Sequence, residues 1–308
     1  MPDQDQLQRF AFENTLIRGE YVHLDSTFQD ALSRHDYPPI VANVLGQAMA
    51  ATVLLGATVK FEGSLILQLQ GKGPMTLLVV QLFANGSLRG LANWDSDPLP
   101  DTDQLSALFG KGHLAITIEA NLSNANQTTP GRPKDERYQG IVDFGQGNIA
   151  QALEGYFQQS EQLNTRLWLS VTEQHAAGLL VRTIPSNQSQ SQIDNNENWN
   201  RIVIFSDTIS KDEMIGLSFR ELMRRLYHEE DVRVFEPEII RFRCTCSRTR
   251  IEDLLRRLGI DEVRSILQDT QKVEVDCEYC KQHYSFDAID AEKLFVKEII
   301  SDAPKTRH

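Results

Sequence analysis

Four cysteines in 308 residues are too few to staple a chain of this length, and a chain this long can bury a core without them. The opening "MPDQDQLQRFAFENTLIRG" has no basic n-region, no apolar h-region and no small-residue cleavage site, so no secretory signal is evident. A cytosolic location follows as the expectation, where permanent disulfides are not a framework. The Asn-x-Ser/Thr sequons at Asn85, Asn121, Asn126 and Asn187 then carry no weight. Positive charge is also short: 31 Lys and Arg stand against 43 Asp and Glu, a net charge of -12. Such a balance repels a polyphosphate backbone, so nucleic acid is not an expected partner. Enzyme motifs are missing as well. "QGKGP" at 70–74 lacks the Walker spacing and the Ser/Thr after Lys and reads as a hairpin turn, no Gly-x-Ser-x-Gly is present, and the seven histidines are scattered.

Long apolar runs are equally scarce. The charge-free stretch at 40–59, "IVANVLGQAMAATVLLGATV", could span a bilayer by length. It contains Asn43, Gln47, Thr52 and Thr58, is rich in Ala, and is followed by chain of soluble-sheet character. A buried core helix is the expectation, with no membrane partner.

What is present falls into two compositional halves. From Gly63 onward "GSLILQLQG", "PMTLLVVQLFA" and "SLRGLANW" read as a β-meander with an Asn85-Gly86 hairpin signal. Further strands are predicted at 113–120, 137–144, 165–171 and 178–184, with a helix at 148–159. Strands segregated from helices predict an α+β domain over 1–184. Residues 1–184 carry 12 basic and 19 acidic groups; residues 185–308 carry 19 and 24. The charged fraction doubles, so the second part is less able to hold itself together by burial. It opens with "PSNQSQSQIDNNENWN", expected to be an exposed linker or loop. Helical patterns follow in "DEMIGLSFRELMRRLYHEED", where Met214, Leu217, Leu222 and Leu226 form an apolar stripe that can pack on the first domain. The expected organisation is an N-terminal domain of mixed sheet and helix over 1–184, a charged, marginally stable helical linker over 185–240, and a small zinc-binding domain over 241–308.

The four cysteines come as two tight pairs, Cys244-Thr-Cys246 and Cys277-Glu-Tyr-Cys280, separated by a charged helical segment and a strand-like one. Two cysteines two apart on extended chain point to one side, and a Cys-x-x-Cys knuckle turns both sulfurs inward. Together they can present four thiolates to one zinc ion. Four unrelated buried cysteines would not be paired at ligand spacing. A catalytic zinc would keep an open position and usually a His or carboxylate ligand; His283, close to Cys280, reads as a surface or outer-shell residue. A module of about 50 residues buries little, and structural zinc supplies about 10–16 kcal/mol, so the metal is expected to hold it folded. Thiolates are also what oxidants attack. Each close pair can trap a sulfenic acid as a disulfide, which is no zinc ligand, and a short Cys-x-Cys ring is readily reduced again. The site can therefore be a reversible switch.

This arrangement resembles the 33-kDa heat-shock protein family of redox-regulated holdase chaperones. "RG" at 18–19, "HDYPP" at 35–39, "LLGATVKFEGSLILQLQGKGP" at 54–74, "GSLRG" at 86–90 and "YFQQSEQ" at 156–162 resemble it too. The resemblance implies a non-enzymatic, ATP-independent chaperone of the cytoplasm. In the reduced form Cys244, Cys246, Cys277 and Cys280 would hold one zinc ion per chain and the protein would be inactive. Under oxidative and unfolding stress, disulfides Cys244-Cys246 and Cys277-Cys280 would form, zinc would leave, and the module and linker would unfold. The protein, as a homodimer, would bind unfolding client proteins and later pass them to ATP-dependent foldases. Two other classes stay open on the residues alone. One is a constitutive zinc-ribbon module that recruits nucleic acid or a protein, which the acidic balance and the Cys-x-Cys half disfavour. The other is a thiol oxidoreductase using Cys277 and Cys280, which lacks a surrounding βαβ pattern.

Overall fold

A computed structural model of the chain describes residues 5–95, 98–119, 137–145, 147–185 and 192–301. The chain divides into two compact units, residues 1–243 and 244–308, and the architecture is α+β.

The first unit begins with a hairpin of β1 (Gln6–Phe12) and β2 (Ile17–Leu24), then α1 (Ser26–Leu32) and α2 (Pro39–Thr58). A meander of β3 (Ser64–Gly71), β4 (Met75–Phe83) and β5 (Ser87–Trp94) follows, with α3 (Leu105–Phe109), β6 (Gly112–Glu119) and β7 (Arg137–Asp143). Next come α4 (Ile149–Tyr156), a π-helical turn (Phe157–Glu161), β8 (Thr165–Val171) and β9 (Ala176–Thr183). Three helices, α5 (Gln192–Ser206), α6 (Lys211–Gly216) and α7 (Phe219–Tyr227), lead to the short strands β10 (Val232–Val234), β11 (Glu238–Ile239) and β12 (Arg241–Phe242). One sheet has the order β10-β1-β2-β9-β8, with β11 also on β1; the other runs β12-β5-β4-β3-β6-β7. Neighbours are antiparallel except β12 and β5, which are parallel.

Helix α2 lies against β2, β8 and β9 of one sheet and β3, β4 and β5 of the other. Residues 44–56 are buried without a break. An all-round apolar helix is stable only when covered on every side, and here two sheets cover it. Its polar groups are satisfied locally: the Thr52 hydroxyl donates to the Ala48 carbonyl at 2.6 Å and Gln47 Nε2 to Asn43 Oδ1 at 2.8 Å. The "QGKGP" segment joins β3 to β4 as a hairpin; a Cβ on Gly73 would strike the backbone of residues 108–110. At the Asn85-Gly86 turn, Gly86 has φ +78, a region that favours glycine.

The opposite face of the first sheet is covered by α6 and α7 with part of α5. Phe10, Phe12, Ile17, Tyr21, Leu179 and Val181 form one buried cluster with Ile202, Met214, Phe219, Leu222, Leu226 and Tyr227. The chain breaks between α6 and α7 because Ser218 caps the second helix in a capping box with Glu221, as Ser210 caps the first with Glu213. Polar ties from β2 help fix this layer. The Tyr21 hydroxyl donates to the Met214 carbonyl at 2.8 Å, and His23 Nε2 lies 3.2 Å from the Ile215 carbonyl. His23 is fully buried, and burial, followed by the neighbouring His175, holds its pKa below the usual 6.5 despite Asp25 and Asp5. The polar stretch expected to be a loop is corrected over residues 192–200, which are helical within α5; the part at 186–191 lies outside the described residues.

The second unit contains α8 (Arg248–Leu258), α9 (Ile260–Thr270), the hairpin β13 (Val273–Asp276) and β14 (His283–Phe286), and α10 (Ala288–Ser301). Gly259, at φ +96, separates α8 from α9. Among the described residues the unit's buried apolar cluster is Leu255, Val263, Val273, Phe286, Ala291, Leu294 and Phe295.

Candidate metal centre

The two cysteine pairs reach one place by different local routes. Cys244 and Cys246 lie in extended chain directly after β12, and Ser247 then caps α8 by accepting the Arg250 N–H at 3.3 Å. Cys277 and Cys280 form the turn of the β13-β14 hairpin. The Cys277 N–H donates to the Gln282 carbonyl at 3.0 Å and the Lys281 N–H to the Cys277 carbonyl at 2.8 Å, with Lys281 at φ 55. That left-handed residue closes the knuckle and aims both sulfurs the same way.

All four half-buried sulfurs lie within 4.8 Å of one another. Two close approaches cross between the pairs: Cys246 to Cys280 at 3.3 Å and Cys244 to Cys277 at 3.6 Å. A tetrahedral site with metal–sulfur bonds of about 2.3 Å has edges of about 3.8 Å, so the four residues are spaced to hold a metal ion. The His283 ring instead meets Asp276, Nδ1 to Oδ1 at 2.8 Å, across the hairpin.

Electrostatics favour a cation at the centre. Burial pushes against ionisation of Cys244, but the Cys246 N–H and the other three sulfurs outweigh it and bring the thiol down to about 7. The Cys277 thiol is raised by burial and by the Cys244 sulfur, against the Cys280 and Tyr279 N–H groups and the Cys280 sulfur; that of Cys280 is raised by burial and by the other three sulfurs, against the Gln282 N–H. Cys277 and Cys280 thus resist ionisation while Cys244 ionises readily. A divalent cation removes that conflict.

Two residues beyond the cysteines shape the cage. The Tyr284 hydroxyl donates to Cys246 Sγ at 3.2 Å. Arg248 donates to the Ser285 carbonyl at 3.0 Å, pairs with Asp290 at 2.7 Å, and sits 4.2 Å from the centre of the Phe286 ring. It thereby ties the start of α8 to β14 and α10. Neither was singled out from the sequence. Period two in "HYSF" places Tyr284 and Phe286 on one face of the strand, a signal that could have marked Tyr284 as facing inward with the core.

A family model described as Hsp33 protein matches residues 5–287, spanning both units and all four cysteines. The chain belongs to the Hsp33 family. Two relatives called 33 kDa chaperonin illustrate the match. That of Nitrosococcus oceani is 46% identical over 308 residues, and that of Methylobacillus flagellatus 41% identical over 311, each alignment covering 100% of both chains. A solved 33 kDa chaperonin (heat shock protein 33 homologue) from Thermotoga maritima has the same fold, with a TM-score of 0.74 at 21% identity, covering 97% of this chain and 100% of that one.

Proposed function

We propose that this Hsp33-family chain is a redox-regulated, ATP-independent holdase chaperone, non-enzymatic and cytoplasmic, whose switch is the four-cysteine cage. The names of its relatives support the chaperone role, and the convergence of four sulfurs within 4.8 Å carries the assignment of the switch. In the reduced form Cys244, Cys246, Cys277 and Cys280 hold one zinc ion. The metal supplies the charge balance and cross-linking that the small cluster around Leu255, Val263 and Phe286 does not.

Oxidation replaces four ligands by two disulfides, assigned to Cys244-Cys246 and Cys277-Cys280 from the family resemblance. The cage can then no longer hold its cation, the second unit unfolds, and the segment 185–240 loosens. The apolar face of β1, β2 and β9 under α6 and α7 then supplies the surface for unfolding clients, which the oxidised homodimer would later yield to ATP-dependent foldases. The deep burial of that face in the resting state agrees with an inactive reduced form.

The test follows zinc content and suppression of a thermally unfolding client's aggregation, before and after peroxide with mild heat. One zinc per chain, lost on oxidation as protection appears, is expected. Equal protection by the reduced protein, or zinc that stays bound after oxidation, would sink the switch.

A further inference from the structure

We infer that the edge of β1 is a docking edge for clients: when the segment 231–240 leaves it, an extended client segment with alternating apolar residues adds to the first sheet as a new strand. The inference rests on the proposed opening of 185–240 and names the kind of partner the opened sheet takes.

The resting protein already seats a strand there. β10 runs antiparallel to β1 with Val232 beside Phe12, Arg233 beside Ala11 and Val234 beside Phe10, and β11 sets Glu238 beside Leu7 and Ile239 beside Gln6. The Glu13 N–H donates to the Asp231 carbonyl at 2.9 Å and the Phe235 N–H to the Arg9 carbonyl at 3.0 Å. Val232 packs on the cluster that holds Phe10 and Phe12. Arg233, one residue on and so on the other side of the strand, pairs with Glu13 at 3.2 Å.

That occupant fits β1 poorly. Between the Phe10–Val234 and Leu7–Glu238 pairs, β1 steps back three residues while its partner advances four, so one residue is extra and the ladder is interrupted. Pro237 lies in the interruption and has no N–H to give. There the Gln8 side chain, rather than a backbone group of β1, meets the Phe235 carbonyl. Residues 233–239 are all exposed, so apolar burial holds the segment only at its ends. An unbroken strand without proline can bond along the whole of β1 and set every second side chain on the face that α7 vacates. Backbone bonds of that kind serve any sequence, while the alternation selects amphipathic strands over helices.

Backbone amides separate strand addition from contact with the apolar face alone. Successive N–H groups of an antiparallel strand point to opposite neighbours, so those of Ala11 and Glu13 aim at 231–235 and those of Phe10 and Phe12 at β2. Residue-resolved hydrogen exchange is followed on full-length protein oxidised with peroxide and mild heat. The client probe is a fluorescein-labelled peptide alternating Val and Thr between terminal lysines, its binding read by anisotropy. Oxidation should speed exchange at Ala11 and Glu13 by about tenfold or more. Peptide at about ten times its Kd should slow both again about tenfold, with Phe10 and Phe12 unchanged. Amides of Ala11 and Glu13 that stay fast with peptide bound, or stay slow although zinc is released, would overturn the inference and leave the switch standing. Zinc that stays bound after oxidation would sink the switch instead, and the reduced Arg233→Pro variant then decides, because proline there removes a bond to β1 without touching the cysteines. It should show the same peptide-dependent slowing, while Val234→Pro, whose lost N–H points away from β1, should resemble the parent. Equal behaviour of the two variants would refute strand addition.

Discussion

Truncating Leu222 to Ala tests whether the α5-to-α7 layer is a separately releasable cover. Leu222 is 0% exposed and sits among the rings and aliphatic chains between α7 and the first sheet. The change deletes three carbons, about 2.4 kcal/mol at about 0.8 kcal/mol each, and an unfilled cavity adds to that, within the range of about 2–5 kcal/mol for buried Leu to Ala. Because α7 touches the sheet through this cluster, most of the loss should fall on local opening of the layer. At about 1.4 kcal/mol per tenfold, even a loss of about 2 kcal/mol raises the open population about thirtyfold. Native-state hydrogen exchange reads this directly. Amides of residues 222–227 should exchange at least about thirtyfold faster, while those of β3, β4 and β6, in the core on the far side of α2, keep their rates. The reduced, zinc-loaded variant should also protect a client from aggregation better than the parent. Unchanged α7 amides would refute the burial argument, and equal acceleration throughout the first unit would refute a separable cover.

Two further outcomes follow from the same geometry. Cys280→Ser removes one of four ligands; sharing about 10–16 kcal/mol among four implies zinc affinity weaker by on the order of a hundredfold or more, measurable by competition with a chelator, and unchanged affinity would remove Cys280 from the cage. His23, neutral and buried beneath α6, has its pKa depressed in the folded state, so its contribution is present above pH 6.5 and lost as pH falls through the unfolded value toward the folded one. Around it lie His175 from the β8-β9 hairpin, Asp25 after β2 and Asp5 before β1, while α6 presents the Ile215 carbonyl. The opening equilibrium of α6, obtained from exchange rates divided by the intrinsic rate at each pH, should therefore rise on acidification below pH 6.5, and His23→Gln should flatten that dependence; identical pH profiles would show that His23 is not the group responsible.

How much of this was legible depended on whether burial left a periodic trace. Strand β3 showed alternation, β4 and β5 were placed by the Asn85-Gly86 turn signal between them, and α2 showed an unbroken apolar run because it is covered on every side. The hairpin of β1 and β2 was not predicted, although it lies at the centre of the first sheet. That sheet is covered on both faces, by α2 and by the later helices, so Leu7 and Phe10 are both buried on opposite sides and no alternation survives. Helix α5 was hidden for the opposite reason: "NNENWN" is polar, and Ile202 is its fully buried anchor among the described residues. Strands β10, β11 and β12, of three, two and two residues, are set by their partners rather than by their own pattern. That the four cysteines could converge on one point was readable from their spacing. That Cys246 approaches Cys280 and Cys244 approaches Cys277 across the pairs, and that Tyr284 reaches Cys246, are tertiary facts with no local signature.

The chain between the cover and the cage suggests why oxidation alone would be a weak trigger in the proposed mechanism. The Arg243 N–H donates to the Leu88 carbonyl at 3.0 Å immediately before Cys244, so loss of the second unit leaves β12 as the frayed end of the first. Back from that end stand only short strands, which have few hydrogen bonds to lose. Ile240 is different. At 3% exposed it is the buried apolar residue of 232–243, and it belongs to the main core rather than to the cluster under α7. Extracting it costs about 1.5–3 kcal/mol of apolar transfer, before any helix is released. Unfolding that starts at the cage must pass this pin to reach α7, and heat supplies what the chemistry at the cysteines does not. In the proposed mechanism, a combined requirement for an oxidant and an unfolding stress would have a physical location, at a residue outside the cysteine set and outside the cluster under α7.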